Sequence, residues 1–123
     1  MKKISTDKAP KAIGPYSQAV VVNGLVYTSG QIPLEAQSGV IVGNNIKEQT
    51  EQVMKNLSEV LKAAGTSLDN AVKTTCFLAD INEFSAFNEV YAKYITNAPA
   101  RSCVAVKDLP KGALVEVEII AEL

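Results

Sequence analysis

Five or six β-rich runs and only two stretches of helical period make up this chain, and that imbalance restricts its fold more than any single motif. From Ile46 the apolar residues Ile46, Val53, Leu57, Val60, Leu61 and Ala64 share one helical face, while Lys47, Glu48, Glu51, Lys55, Glu59 and Lys62 lie opposite. Asn45 is the expected cap of this helix and Gly65 its stop. The second helix is read from "EFSAFNEVYAKYIT", capped by Asn82, with Phe84, Phe87, Tyr91 and Tyr94 or Ile95 on its inner stripe and Pro99 barring its continuation. Two helices cover one face of a sheet of this size and leave the other bare. Val20, Val22, Val26, Val104 and Val106 cannot all lie beneath them, so an apolar face is left over. This predicts a homo-oligomer that buries the bare face and forms ligand clefts between subunits.

The strands are read from turn chemistry and period. Asn23-Gly24, between Ala19–Val22 and Leu25–Ser29, is a strong hairpin signal because both residues tolerate positive φ. "QSGVIVGN" adds a short extended piece around Val40 to Val42, and "AVKTTCFLADI" is a mostly apolar, β-rich central strand. "ARSCVAV" and "LVEVEIIAEL" flank a polar turn holding Pro110 and Gly112. Strands joined through helices of this length imply βα crossovers, hence an α/β chain with a mixed sheet.

The 123 residues, 47% hydrophobic, suffice for one domain (1–123) with one core. Twelve Lys and Arg against thirteen Asp and Glu leave a net charge of −1, which disfavours nucleic acid as a partner. No run approaches the ~20 apolar residues of a membrane span, and the N-terminus has no apolar leader core, so no membrane partner and a cytoplasmic location are expected. Cys76 and Cys103 lie far apart in sequence without CxxC spacing, which suits a reducing compartment. The chain contains no histidine, so Ser-His-Asp and Cys-His mechanisms are excluded. No metal-ligand cluster is visible, nor any glycine-rich phosphate loop. Catalysis, if present, falls to Arg, Glu, Tyr, Cys, backbone groups and water.

"APARSCVAV" sets a guanidinium inside an otherwise apolar strand, and Arg101 cannot shed its charge to suit burial. It is either a structural ion pair with a C-terminal glutamate or a receptor for a ligand carboxylate. Alternation puts Arg101, Cys103 and Ala105 on one face. If this strand and the last one pair as a hairpin, Cys103 lies across from Glu116 and Arg101 across from Glu118. Glu116 is then a solvated edge carboxylate or a catalytic acid or base. Without a histidine to ionise it, Cys103 reads as a small hydrophobe rather than a nucleophile. Asn88 sits on the apolar face of the second helix, where such a residue usually satisfies a backbone group. Tyr16, after a Gly-Pro turn, is a packing residue that can also close a pocket with its hydroxyl.

Taken in order, "AIGPYSQA", "YTSGQIP", "NEVY", "PARSCV" and "LPKGALVEVE" resemble the RidA/YjgF family of reactive-intermediate (enamine/imine) deaminases, over about Ala9 to Ala121. "PARSCV", followed by Glu116 in "VEVE", carries most of the likeness. The resemblance implies a chorismate-mutase-like α+β fold, a mixed sheet of about six strands with two helices on one face, assembled as a homotrimer with three clefts. It implies hydrolysis of small-molecule 2-imino or 2-enamino acids to 2-keto acids and ammonia without metal or organic cofactor. The substrate-carboxylate anchor falls on Arg101 and the water-activating carboxylate on Glu116. Tyr16, Ser29, Gly30, Asn88 and Cys103 fall on positions that bind substrate or line the cleft. A regulatory module that binds keto or amino acids without turnover is the alternative reading.

Overall fold

The computed structural model describes residues 1–123. Strands β2 (Ala19–Val22) and β3 (Leu25–Thr28) form the expected hairpin, with Asn23 at φ 52° and Gly24 at φ 77°. Positive φ at both central residues gives the turn a twist that matches the strands it joins. A short N-terminal strand β1 (Lys2–Ile4) adds to β2. The Val40 to Val42 piece is a small loop ladder, with an isolated bridge from Ile41 to Leu34.

Helix α1 (Ile46–Ala64) begins and ends where its pattern predicts: the Asn45 side chain accepts from the Glu48 amide and Gly65 terminates the last turn. All its expected core positions are buried except Ala64, which packs against the core edge. Strand β4 (Ala71–Leu78) follows, then helix α2 (Phe84–Tyr94). Asn82 is not the cap of α2. It lies in a 3₁₀ turn, Ile81–Glu83, where its amide donates to the side chain of Asp80. The shorter Asx bond to the preceding acid wins, and the turn leads directly into α2.

Strands β5 (Ala100–Ala105) and β6 (Val115–Glu122) complete a sheet of order β1-β2-β3-β6-β4-β5, antiparallel except for β4 with β5. The expected β5–β6 hairpin does not form. β4, α2 and β5 make a crossover unit, so β5 joins β4 in parallel at the sheet edge. β6 instead enters between β3 and β4. The physical reason is burial: Val115, Val117, Ile119 and Ala121 alternate along β6 and are essentially inaccessible, which demands a strand with neighbours on both sides.

Both helices pack on one face over a 21-residue apolar cluster that includes Val53, Leu57, Phe87 and Val117. Truncating a buried ring such as Phe87 to Ala costs about 3–5 kcal/mol in a core of this kind. Lys93 and Tyr94 of α2 bond to Glu51 of α1 and tie the two helices together. Of the five valines assigned to a possible bare face, Val26 is fully buried under the helices. Val22, Tyr27 and Val104 remain exposed on the face that no helix covers. No helix is long and apolar enough to cross a membrane.

Candidate active site

The register of β4 decides which candidate residues can meet. Arg101 pairs with Thr74 and Cys103 with Cys76, so these four side chains share the helix-covered face. Glu116 pairs with Phe77 and Glu118 with Thr75, on the opposite face. Arg101 therefore makes no ion pair with either glutamate, and the hairpin register that set Arg101 across from Glu118 is overturned because β4 lies between the two strands. The ion pairs of the chain are Lys47–Glu89, Lys62–Glu59 and Lys93–Glu51.

Arg101 is half-buried and held by α2. Its Nη1 donates to Asn88 Oδ1 at 2.7 Å, and its Cζ lies 4.9 Å from the ring centroid of Tyr91 and 5.4 Å from that of Phe84. Guanidinium over aromatic faces is an attractive geometry, worth roughly 0.5–2 kcal/mol depending on desolvation. Asn88 thus serves a side chain rather than a backbone group. The other N–H groups of Arg101 have no acceptor within the chain and remain open to a ligand.

Tyr91 is itself fixed. Its hydroxyl and Thr74 Oγ1 share a buried 2.7 Å hydrogen bond, and Phe87 stacks beside it at 5.4 Å. Burial raises the pKa of the Tyr91 hydroxyl. Burial likewise pushes the Cys76 thiol up to about 12 and raises that of Cys103, against a smaller opposing effect of Arg101. Cys103 is therefore a neutral thiol rather than a nucleophilic thiolate, as the missing histidine led one to expect. The two cysteines, distant in sequence, are strand neighbours.

On the other face, Tyr16, Ser29, Gly30 and Glu116 border a cavity of about 680 Å³. Its walls are tied together by backbone and amide bonds. The Ser29 hydroxyl donates to the Ser17 carbonyl at 2.6 Å, and Ser29 N donates to Gln18 O. Gln18, nearly inaccessible, donates to the Pro10 and Thr6 carbonyls and accepts from Thr6 N, which pins the N-terminal loop over the cavity. Gln31 and Val117 exchange backbone bonds, and this fixes Gly30 against β6. A Cβ on Gly30 would stand 2.0 Å from Glu116 Oε2, so only glycine lets the carboxylate lie there. Burial, and to a lesser degree the negative charge of Glu118, raise the Glu116 pKa above the ordinary carboxylate value. Tyr16 is about half exposed at the cavity mouth, its hydroxyl 3.4 Å from the Ile13 amide.

The candidate residues thus form two groups. Arg101, Asn88 and Cys103 lie together on the covered face at the sheet edge; Tyr16, Ser29, Gly30 and Glu116 lie together on the bare face. One chain does not unite them. Sequence reasoning missed Gln18, Gln31 and Thr74, and it read Tyr91 only as packing; a hydroxyl in an apolar stripe, which needs a partner when buried, was the available signal.

A six-stranded mixed sheet carrying two helices on one face, with an arginine and a glutamate set on opposite sides of it, defines the class of domain. Residues 6–123 match the family described as Endoribonuclease L-PSP, and the chain belongs to that family, which its motifs resemble under the name RidA/YjgF. It is 56% identical over 124 residues to a Lactococcus lactis protein named "Putative regulator AldR", covering 100% of this chain and 98% of that protein. It is 51% identical over 119 residues to the human 2-iminobutanoate/2-iminopropanoate deaminase, covering 96% of this chain and 87% of that one. The crystal structure of YyfA of the Rid protein family from Yersinia pestis superposes with a TM-score of 0.96 at 52% identity, covering 99% of this chain and 98% of the other.

Proposed function

We propose that this protein hydrolyses 2-imino and 2-enamino acids to 2-keto acids and ammonia, in the cytoplasm, without metal or organic cofactor, as a homotrimer whose clefts lie between subunits. The observation that carries the reading is the state of Arg101: mounted on Asn88 and two rings, without a carboxylate partner, and with N–H groups left to receive one. A planar guanidinium matches a carboxylate through two parallel bonds and so fixes the orientation of the rest of the ligand.

The second group supplies the proton chemistry. With the imino acid held by its carboxylate and protonated at its imine nitrogen, water adds to C2 of the C=N bond while Glu116 takes one of its protons. The electron pair of the C=N bond moves to nitrogen, giving a carbinolamine. Glu116 then returns the proton to nitrogen, the C–N bond breaks, and ammonia leaves as Glu116 takes the proton of the hydroxyl, which becomes the keto oxygen; that proton departs with the ammonia as ammonium. A carboxylate whose pKa is raised by burial is a stronger base when ionised and keeps the proton it takes until a more basic nitrogen receives it. The imine is already electrophilic, so orientation and one positioned water supply what the reaction needs.

Since Arg101 and Glu116 sit on opposite faces of one sheet, a cleft that uses both takes Arg101 from one subunit and Glu116 from another. The exposed apolar side chains Val22, Tyr27 and Val104 suit burial against a second copy. The curated relatives named as deaminases at about half identity support the activity. Cleavage of RNA, which the family's description names, is disfavoured by the net charge of −1 and the absence of histidine.

The test couples a serine/threonine dehydratase, which releases the imine, to reduction of the keto acid by lactate dehydrogenase. Catalytic amounts of this protein should accelerate keto-acid formation above the spontaneous rate, and Arg101→Ala should abolish that gain. The relative named as a regulator favours a second reading, ligand binding without turnover. Binding of 2-oxobutanoate with no acceleration in the coupled assay would establish it instead.

A further inference from the structure

We propose that Thr74 is a positioning residue for carboxylate recognition, acting on Arg101 through the ring of Tyr91. The inference rests on the reading of Arg101 as the substrate-carboxylate anchor and deepens it. A guanidinium stacked on an aromatic ring takes its plane from that ring, so whatever sets the tilt of the ring sets the direction of the free N–H groups. Rotation about χ1 swings the whole tyrosine ring, its hydroxyl end included, and packing alone leaves that swing some freedom. Here the ring is pinned at its far end: the Tyr91 hydroxyl meets Thr74 Oγ1 at 2.7 Å in a site where Thr74 is fully inaccessible.

Thr74 suits the task. It is β-branched, hence stiff at χ1, and sits in β4 with β6 on one side and β5 on the other. It is also the direct strand partner of Arg101, so the pin and the guanidinium it aligns share one register. Along the helix-facing row of β4, Thr74 precedes Cys76 and Leu78, where a valine of the same shape would pack as well. What the threonine adds is the hydroxyl. Asn88 holds Nη1 from the other side, so the guanidinium is gripped at one nitrogen and across its face while its remaining edge is presented outward.

The experiment measures binding of 2-oxobutanoate by calorimetry to the full-length protein and to T74V, T74S, Y91F, T74V/Y91F and R101A, each at a temperature where circular dichroism reports it folded. T74V and Y91F should each weaken binding about three- to tenfold, the worth of one hydrogen bond. The double variant should be no weaker than the weaker single, since both remove the same bond, and T74S should restore wild-type affinity. In the coupled assay T74V should raise KM by the same factor and leave kcat within about twofold. Wild-type affinity in T74V or Y91F overturns the proposal, as do additive losses in the double variant or a T74S as weak as T74V. If T74V does not fold, Y91F decides alone. R101A separates the two readings: lost binding there with wild-type binding in Y91F sinks the role of Thr74 only, whereas wild-type binding in R101A sinks the carboxylate anchor itself.

Discussion

Arg101 and Glu116 are held in opposite ways. Arg101 is gripped by side chains, an amide from one residue of α2 and aromatic faces from two others, and its charge is satisfied by soft contacts that leave donors free. Glu116 is positioned by backbone, lying over a glycine that β6 holds close, and its charge is opposed by burial and by Glu118. The first arrangement suits a group that binds and never changes protonation state. The second suits a group that exchanges a proton, because burial and Glu118 disfavour its charge and raise its pKa from the ordinary carboxylate value. The sheet keeps the two apart within one chain, so recognition and proton transfer meet only if a second copy brings them together.

The sharpest way to break this comparison is to inactivate each half separately and mix the products. E116Q alone should lower kcat by about 10²–10⁴, the worth of a general base, and R101A alone should abolish acceleration in the coupled assay. Unfolded and refolded together in equal amounts, they should recover about one quarter of wild-type activity, because random assembly pairs an intact Arg101 with an intact Glu116 in about one cleft in four. A mixture as inactive as its parents would mean that the two residues do not share a cleft.

The same E116Q variant separates function from stability. A carboxyl whose folded pKa lies above its unfolded value binds its proton more tightly when folded, so it lowers stability as pH rises from the ordinary carboxylate value through the raised one. Removing the charge should leave the melting temperature at neutral pH unchanged or higher. A clear drop would place Glu116 among the structural residues.

R101K keeps the charge and loses the fork, so KM should rise by about 10- to 100-fold, the scale of one or two charge-assisted bonds, with a far smaller change in kcat. G30A tests the glycine beneath Glu116. The atom in the way is the end of a flexible side chain, so the fold should tolerate the methyl group, but the carboxylate must swing aside. Activity should fall about tenfold or more, as misplacement of a reacting group does, with little change in thermal midpoint. The smallest effect is expected of E118Q: loss of the neighbouring negative charge lets Glu116 ionise at lower pH, so the acid limb of the kcat/KM profile should move down the pH scale. An unmoved limb would assign that limb to another group.

Local pattern carried much of the fold. The Asn23-Gly24 turn, the limits of α1 at Asn45 and Gly65 and the excess of strands over helices are short-range signals, and each has its counterpart in the structure. The cap of α2 failed because Asp80, two residues before Asn82, takes the Asn82 amide and caps a 3₁₀ turn first, and the pattern does not say which of two nearby turn-forming residues will cap. The candidate site was legible as residue types in order, with Arg101, Glu116, Tyr16 and Gly30 each marked by its motif, but not as an arrangement. Thr74 left no trace, since a threonine in a strand needs no further explanation.

The sequence by itself determined the β2–β3 hairpin, the presence of two helices, where α1 starts and stops, and that two helices cannot cover both faces of the sheet, because period, caps and turn residues act over a few positions. Only the tertiary structure decided that β4 separates β5 from β6, that Cys76 lies beside Cys103, and that Arg101 faces the helices while Glu116 faces away. Strand order is settled by which apolar rows can be buried from both sides and by how a crossover returns to the sheet. Those are properties of the whole chain, and no single strand carries them.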